Sequence, residues 1–201
     1  MPAKAPPRAW QRMLSGRRLD LLNPSPLDIE IEDIAHGLAR VTRWNGQTVG
    51  PHIFSVAQHC LLVEAIAGCL QPAIADDRRL AILLHDAPEY VVGDIISPFK
   101  VVVGDAYKTV EERLLAAIRL RFGLPAQPDA SLRRLTKRAD RAAAFLEATR
   151  LAGFSHEEAR KHFGPDEPVA LAAAEYLMSW SVERAQKSYL ARFAELSGEP
   201  S

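Results

Sequence analysis

Apolar residues in this chain return every three or four positions in one segment after another. No run of useful length alternates with the period of two that a half-buried strand requires, Leu27 to Ile31 being the nearest approach. That periodicity commits the chain to helices packed on helices, an all-α fold. From Asp28, the positions Ile29, Ile31, Ile34, Ala35, Leu38, Ala39 and Val41 drift into a helical period, with Glu32 and Asp33 at its start, where the helix dipole favours acids. Arg43-Trp44-Asn45-Gly46 and Gly50-Pro51 break it, which puts Arg43 and Trp44 at a helix end or in a loop. Ser55 is the N-cap of the next pattern, Val56, Leu61, Leu62, Ala65, Ile66 and Leu70, and Pro72 ends it. Asp76 or Asp77 caps a successor whose Leu80–Leu84 run continues as a buried helix into Asp86. Two more helices follow, one over Val110–Phe122 stopped by Gly123 and Pro125, the other from Pro128 and Asp129 through Arg150, closed by Gly153. A polar segment, Ser155 to Pro168, leads to a last helical stretch over Val169–Leu196.

At 201 residues the chain fits one helical-bundle domain, residues 27–201, preceded by a Pro- and Arg-containing arm, residues 1–26, with one turn of helix at Trp10–Leu14. The arm packs either on the body or on a neighbouring subunit of a homo-oligomer, a dimer. The chain's 25 basic and 25 acidic residues balance, which argues against a nucleic-acid polymer as partner. Cys60 and Cys69 lie nine residues apart in one apolar pattern, without the spacing of a zinc or redox motif, and read as reduced core thiols. No segment reaches the ~18 consecutive apolar residues of a membrane span. The expected location is therefore cytoplasmic, with no membrane partner.

The stretch that bears chemistry is Leu80 to Lys100, LAILLHDAPEYVVGDIISPFK. An apolar lead-in delivers His85-Asp86, and a buried ionised carboxylate needs a charge, a hydrogen-bond network or a metal to compensate it. The same pair also fits an Asp capping a helix from Pro88 beside a core histidine. On a helix, adjacent residues point about 100° apart, so other segments must complete a site. His59, flanked by Val56 and Leu62, and Asp140, between Ala139 and Ala142, are polar residues set in apolar helical patterns. Together with His85-Asp86 they would converge from three separate segments. Each alone also fits a blander role, a core histidine or a surface ion pair beside Arg138 and Arg141.

The pattern resembles the HD-domain metal-dependent phosphohydrolases, an all-helical superfamily defined by an H, HD and D signature, here His59, His85-Asp86 and Asp140. Within it the chain is most similar to bacterial 5'-deoxynucleotidase-type (YfbR-like) proteins. In those, Arg-Trp precedes the first ligand, an A-x-E pattern and a further Asp follow the pair, and the last Asp sits in a K-x-A-D run. Arg43-Trp44, His85-Asp86-Ala87-Pro88-Glu89, Asp94 and Lys137-Arg138-Ala139-Asp140 match these. The likeness covers about Asp33 to Arg150; the Pro-rich arm and the Thr48–Phe54 segment with His52 depart from it.

The resemblance implies one divalent ion, with Mn, Co, Fe, Ni, Mg and Zn all suited to two imidazoles and two carboxylates. His36 and His52 match no second-metal ligand. Glu89, three positions after Asp86, would orient the attacking water as general base; a capping acid in a first helical turn is the alternative. Arg43 offers a planar fork for phosphate and for the charge that develops in phosphoryl transfer. Trp44 would flank a base or sugar or anchor the core, Asp94 would accept from a sugar hydroxyl, and Lys100 would lie on the phosphate side. The expected activity is release of phosphate from small (deoxy)nucleoside 5'-monophosphates. Alternatives are hydrolysis of another phosphoester or an alarmone-like pyrophosphate, disfavoured because Tyr90 stands where those proteins carry an acid, and a non-catalytic binding module.

Overall fold

The computed structural model describes residues 8–96, 99, 102–165, 167–168 and 174–198. Its helices are α1 (Ile31–Leu38), α2 (Val56–Leu70), α3 (Asp76–Leu83), α4 (Glu89–Val92), α5 (Asp105–Arg121), α6 (Ala130–Arg150), α7 (His156–Phe163) and α8 (Val182–Ser197). Short 3-10 turns at Pro26–Asp28, Arg43–Gly46 and Ala174–Leu177 join them. The all-α expectation is met.

Helix α2 is the axis of the bundle. Eleven of its fifteen residues are buried, apolar on nearly every side, and α6, α3 and α8 all pack on it. Ser55 caps it as expected, its hydroxyl accepting the Gln58 N–H. Because α2 is enclosed, each polar residue within it must find a partner inside the protein. Glu64 takes the guanidinium groups of Arg79 from α3 and Arg192 from α8. Gln58 donates to the carbonyls of Tyr176 at 2.6 Å and Met178 at 2.7 Å and accepts the Trp180 N–H at 3.2 Å, pinning the irregular chain ahead of α8. The third polar residue is His59.

The arm differs from its expected helical turn. Trp10–Arg12 (β1) and Arg18–Asp20 (β2) pair antiparallel as a hairpin. It turns through Met13–Arg17, with Gly16 at φ 88°, a left-handed conformation open to glycine. Trp10 lies between the guanidinium groups of Arg8 and Arg18, 4.2 and 4.4 Å from its ring centre. Two strands alone are marginal in water. The hairpin docks on the body: Leu19 is fully buried, and Ser15 donates its N–H and hydroxyl to Asp33 of α1.

Four helix features also differ. The buried helix stops at Leu83, so His85 and Asp86 stand in a run of i→i+3 turns, from His85 N–H to Ile82 O through Tyr90 N–H to Ala87 O. Ala75, not Asp76 or Asp77, is the N-cap of α3, and the two acids occupy its first turn. The polar Ser155–Pro168 segment contains α7, opened by a reciprocal capping box between Ser155 and Glu158. Helix α8 begins at Val182 behind a Ser181 cap; residues 169–173, expected to open it, lie outside the described residues. Cys60 is buried, whereas Cys69 is exposed on α2 and is not a core thiol; both are free.

Candidate metal centre

His59 projects from the first turn of α2, His85 and Asp86 from the turns between α3 and α4, and Asp140 from the middle of α6. The three segments meet because α2 lies between α3 and α6. One ligand atom each from His59, His85 and Asp140 falls within 4.8 Å of the others. Asp86 joins them: its Oδ2 is 3.4 Å from His59 Nε2 and 3.3 Å from His85 Nε2, while Asp140 Oδ1 is 3.4 Å from His59 Nε2. Ligands at about 2.0–2.2 Å from a shared ion stand roughly 3–4 Å from one another, so the spacing fits a divalent cation.

The imidazoles are oriented for this. His85 Nδ1 donates to the Ile82 carbonyl at 2.9 Å, and His59 Nδ1 to a Glu147 carboxylate oxygen at 2.6 Å. Since a carbonyl or carboxylate only accepts, the proton sits on Nδ1 in both rings. Both Nε2 atoms are buried without a hydrogen-bond partner and face the carboxylates. Asp140 is the opening, its side chain 42% exposed against none for His59.

Charge is balanced within the cluster. Burial alone would lower the His85 pKa, but Asp86 beside it raises it to about 10. His59 is likewise lowered by burial and by Arg43, then carried well above the ordinary histidine value by Glu147, Asp140 and Asp86. Burial pushes Asp86 and Asp140 up, yet His85 and His59 respectively hold them below the ordinary carboxylate range. Without an ion, protons on the imidazoles supply the positive charge. Cys60, against His85, stays a thiol because burial raises it.

Arg43 and Trp44 reach the cluster through a strained turn. Arg43 N–H bonds the Phe54 carbonyl and Val56 N–H the Val41 carbonyl, tying this segment to the start of α2. Trp44 (φ 57°) and Asn45 (φ 51°) are both left-handed, at a cost of roughly 1–2 kcal/mol per residue. The Trp44 indole offsets it, seated on Phe154 and Phe163 with ring centres 5.7 Å away in each case and donating Nε1–H to Glu147 at 2.8 Å. Arg43 bonds Asp94 at 3.1 Å and lies 3.6 Å from Glu147. Burial opposes its charge, but Glu147 and Asp94 more than restore it. Asp94 is thus placed against Arg43.

Glu89 opens α4, is 1% exposed, and donates its N–H to the Asp86 carbonyl. His52 is exposed in the 48–53 loop, where its N–H meets the Ser179 hydroxyl, and His36 lies on α1; neither joins the metal-capable cluster. Lys100 lies outside the described residues. Glu147 is the residue that the sequence reading missed. Burial raises its pKa, but His59 and Arg43 bring it down to about 2, so it is a buried carboxylate.

A family profile described as the HD domain matches residues 38–158, a span that encloses every residue of the cluster. The chain is similar to an uncharacterised protein of Rhodobacter capsulatus, 59% identical over 162 residues that make up 81% of this chain and 83% of that one. It is also similar to the uncharacterised protein YfdR of Escherichia coli, 37% identical over 98 residues, 49% of each chain.

Proposed function

This chain belongs to the HD-domain family, in which metal-dependent phosphohydrolysis is the general activity, and from that premise we propose that it releases phosphate from small (deoxy)nucleoside 5'-monophosphates. The observation that carries the reading is the convergence of two buried, unpartnered imidazole nitrogens with Asp86 and Asp140, beside a guanidinium held on carboxylates.

In this reading His59, His85, Asp86 and Asp140 hold one divalent ion. When bound, that ion supplies Lewis acidity toward a phosphoryl oxygen and eases deprotonation of water. Glu89 orients the attacking water and takes its proton as water adds to phosphorus and the bond to the 5'-oxygen breaks, the leaving oxygen taking a proton from solvent to become the nucleoside hydroxyl. Arg43 faces the phosphate, with Asp94 fixing its fork and offering an acceptor to a sugar hydroxyl. Trp44 holds the turn that carries Arg43 and, in this reading, flanks the base or sugar.

The test is phosphate release from a panel of (deoxy)nucleoside monophosphates with Mn²⁺ or Co²⁺. Release from none of them refutes the nucleotidase reading, and pyrophosphate released from a nucleoside 3'-pyrophosphate would replace it with the alarmone-like one. Glu89→Ala is expected to keep the ion and lose hydrolysis; unchanged turnover removes Glu89 from the mechanism.

A further inference from the structure

Glu147 lies seven residues beyond Asp140 on α6, about two helical turns, and so shares its face. Unlike Asp140, it is fully buried, between Phe145-Leu146 and Ala148, where an apolar side chain would carry no electrostatic cost. Its carboxylate collects two donors and a cation: His59 Nδ1–H on one oxygen at 2.6 Å, Trp44 Nε1–H on the other at 2.8 Å, and the Arg43 guanidinium charge 3.6 Å from that second oxygen. Only an ionised carboxyl group accepts on both oxygens while offering no proton in return.

We infer that Glu147 is a positioning residue for the metal centre, holding His59 in the tautomer and ring orientation that present a bare Nε2 to the ion. Trp44 and Arg43 fix Glu147 from its far side, so the carboxylate cannot rotate away from the imidazole. The arrangement is a carboxylate–histidine pair set behind the ligand, completed by a residue 88 positions along the chain. This inference rests on the metal-centre reading and is independent of which phosphoester is the substrate.

Glu147→Gln tests it, because glutamine matches the shape of glutamate but replaces one acceptor with a donor. With its NH₂ toward His59, the amide opposes Nδ1–H and drives the proton to Nε2, where it blocks ligation. With its NH₂ toward Trp44, two donors confront each other and the side chain loses its anchor.

The expected result is Mn²⁺ binding by the purified, metal-stripped protein weakened about 10–100-fold, measured by calorimetric titration. Unchanged Mn²⁺ affinity in folded Glu147→Gln overturns the inference and leaves the metal centre standing. Absence of divalent-ion binding in the wild type refutes the metal centre itself. A second measurement needs no variant: in the zinc-loaded wild type, ¹⁵N spectra are expected to show His59 protonated on Nδ1 and ligating through Nε2. Ligation through Nδ1 would overturn the assignment even if Glu147→Gln failed to fold.

Discussion

Helices α1 and α4 touch through Gly37, and a methyl group there has no room. An alanine Cβ at this position would stand 2.8 Å from Tyr90 Cβ, 2.9 Å from Tyr90 O and 3.1 Å from Tyr90 Cα. Two of those three atoms are backbone and cannot swing aside. Forcing a methyl group into such a contact costs roughly 1–3 kcal/mol, and the rigid neighbours place it in the upper part of that range. Against this, glycine to alanine in a helix gains about 0.5–1 kcal/mol. Gly37→Ala should therefore destabilise the protein by about 1–2 kcal/mol, read as a shift of roughly 2–8 °C in Tm for a domain of this size.

The functional consequence should be larger than the thermodynamic one. Tyr90 follows Glu89, so separating α1 from α4 moves the proposed general base, and about 1 Å of misplacement can cost on the order of 10²-fold in rate. Metal affinity should fall less than turnover, because His59 and Asp140 stand on other helices and only His85 and Asp86 lie in the turns leading to Tyr90. Urea unfolding, Mn²⁺ titration and turnover on the same preparation separate the three effects. A Gly37→Ala protein as stable as the parent would refute the packing argument, and full turnover would refute the link from this contact to Glu89.

The histidine environment predicts proton release on ion binding. With His85 at about 10 and His59 raised as well, protons must leave the imidazoles as an ion binds. Calorimetry in buffers of different ionisation enthalpy should show that release as a slope, and a slope near zero contradicts it. Because the folded His85 value lies above the unfolded value near 6.5, its contribution to the metal-free protein is full below pH 6.5 and is lost as pH rises toward 10. The metal-free Tm should fall across that window, and a flat profile removes the imidazolium from the stability of the cluster. Glu64→Ala strands Arg79 and Arg192, and should cost about 2–3 kcal/mol in urea unfolding. That is below the roughly 3–5 of a fully buried pair, because both guanidinium groups keep some water. A loss under 1 kcal/mol would show the pairing to be solvated.

The sequence made the long helices and the ligand residues legible for the same reason: both depend on polar residues breaking an apolar period. His59 stood out because it interrupts Val56–Leu62, and the Ser55 cap was visible as an ordinary helix start. The turns that hold His85 and Asp86 were not, because Leu80–Leu84 reads as helix up to the charged pair and nothing local marks the switch to i→i+3 bonding. Helix α7 carries a readable Ser155–Glu158 capping box, but it buries only Ala159 and so shows almost no apolar stripe. Glu147 belongs to no spacing motif, and its one trace is a lone acid within the alanine-rich run after Asp140. The hairpin escaped because three-residue strands are too short to alternate.

Gln58 bears on how the protein opens as well as how it is built. The amide of Trp180 belongs to an irregular stretch that would ordinarily exchange its hydrogen for solvent deuterium within seconds to minutes. Here it is bonded to a side chain rooted in the most enclosed helix, one residue from His59. Its exchange should therefore follow the rare, large openings that expose α2 rather than local breathing of the loop. The lining of the metal centre and a surface segment more than a hundred residues later in the chain then share one unfolding unit.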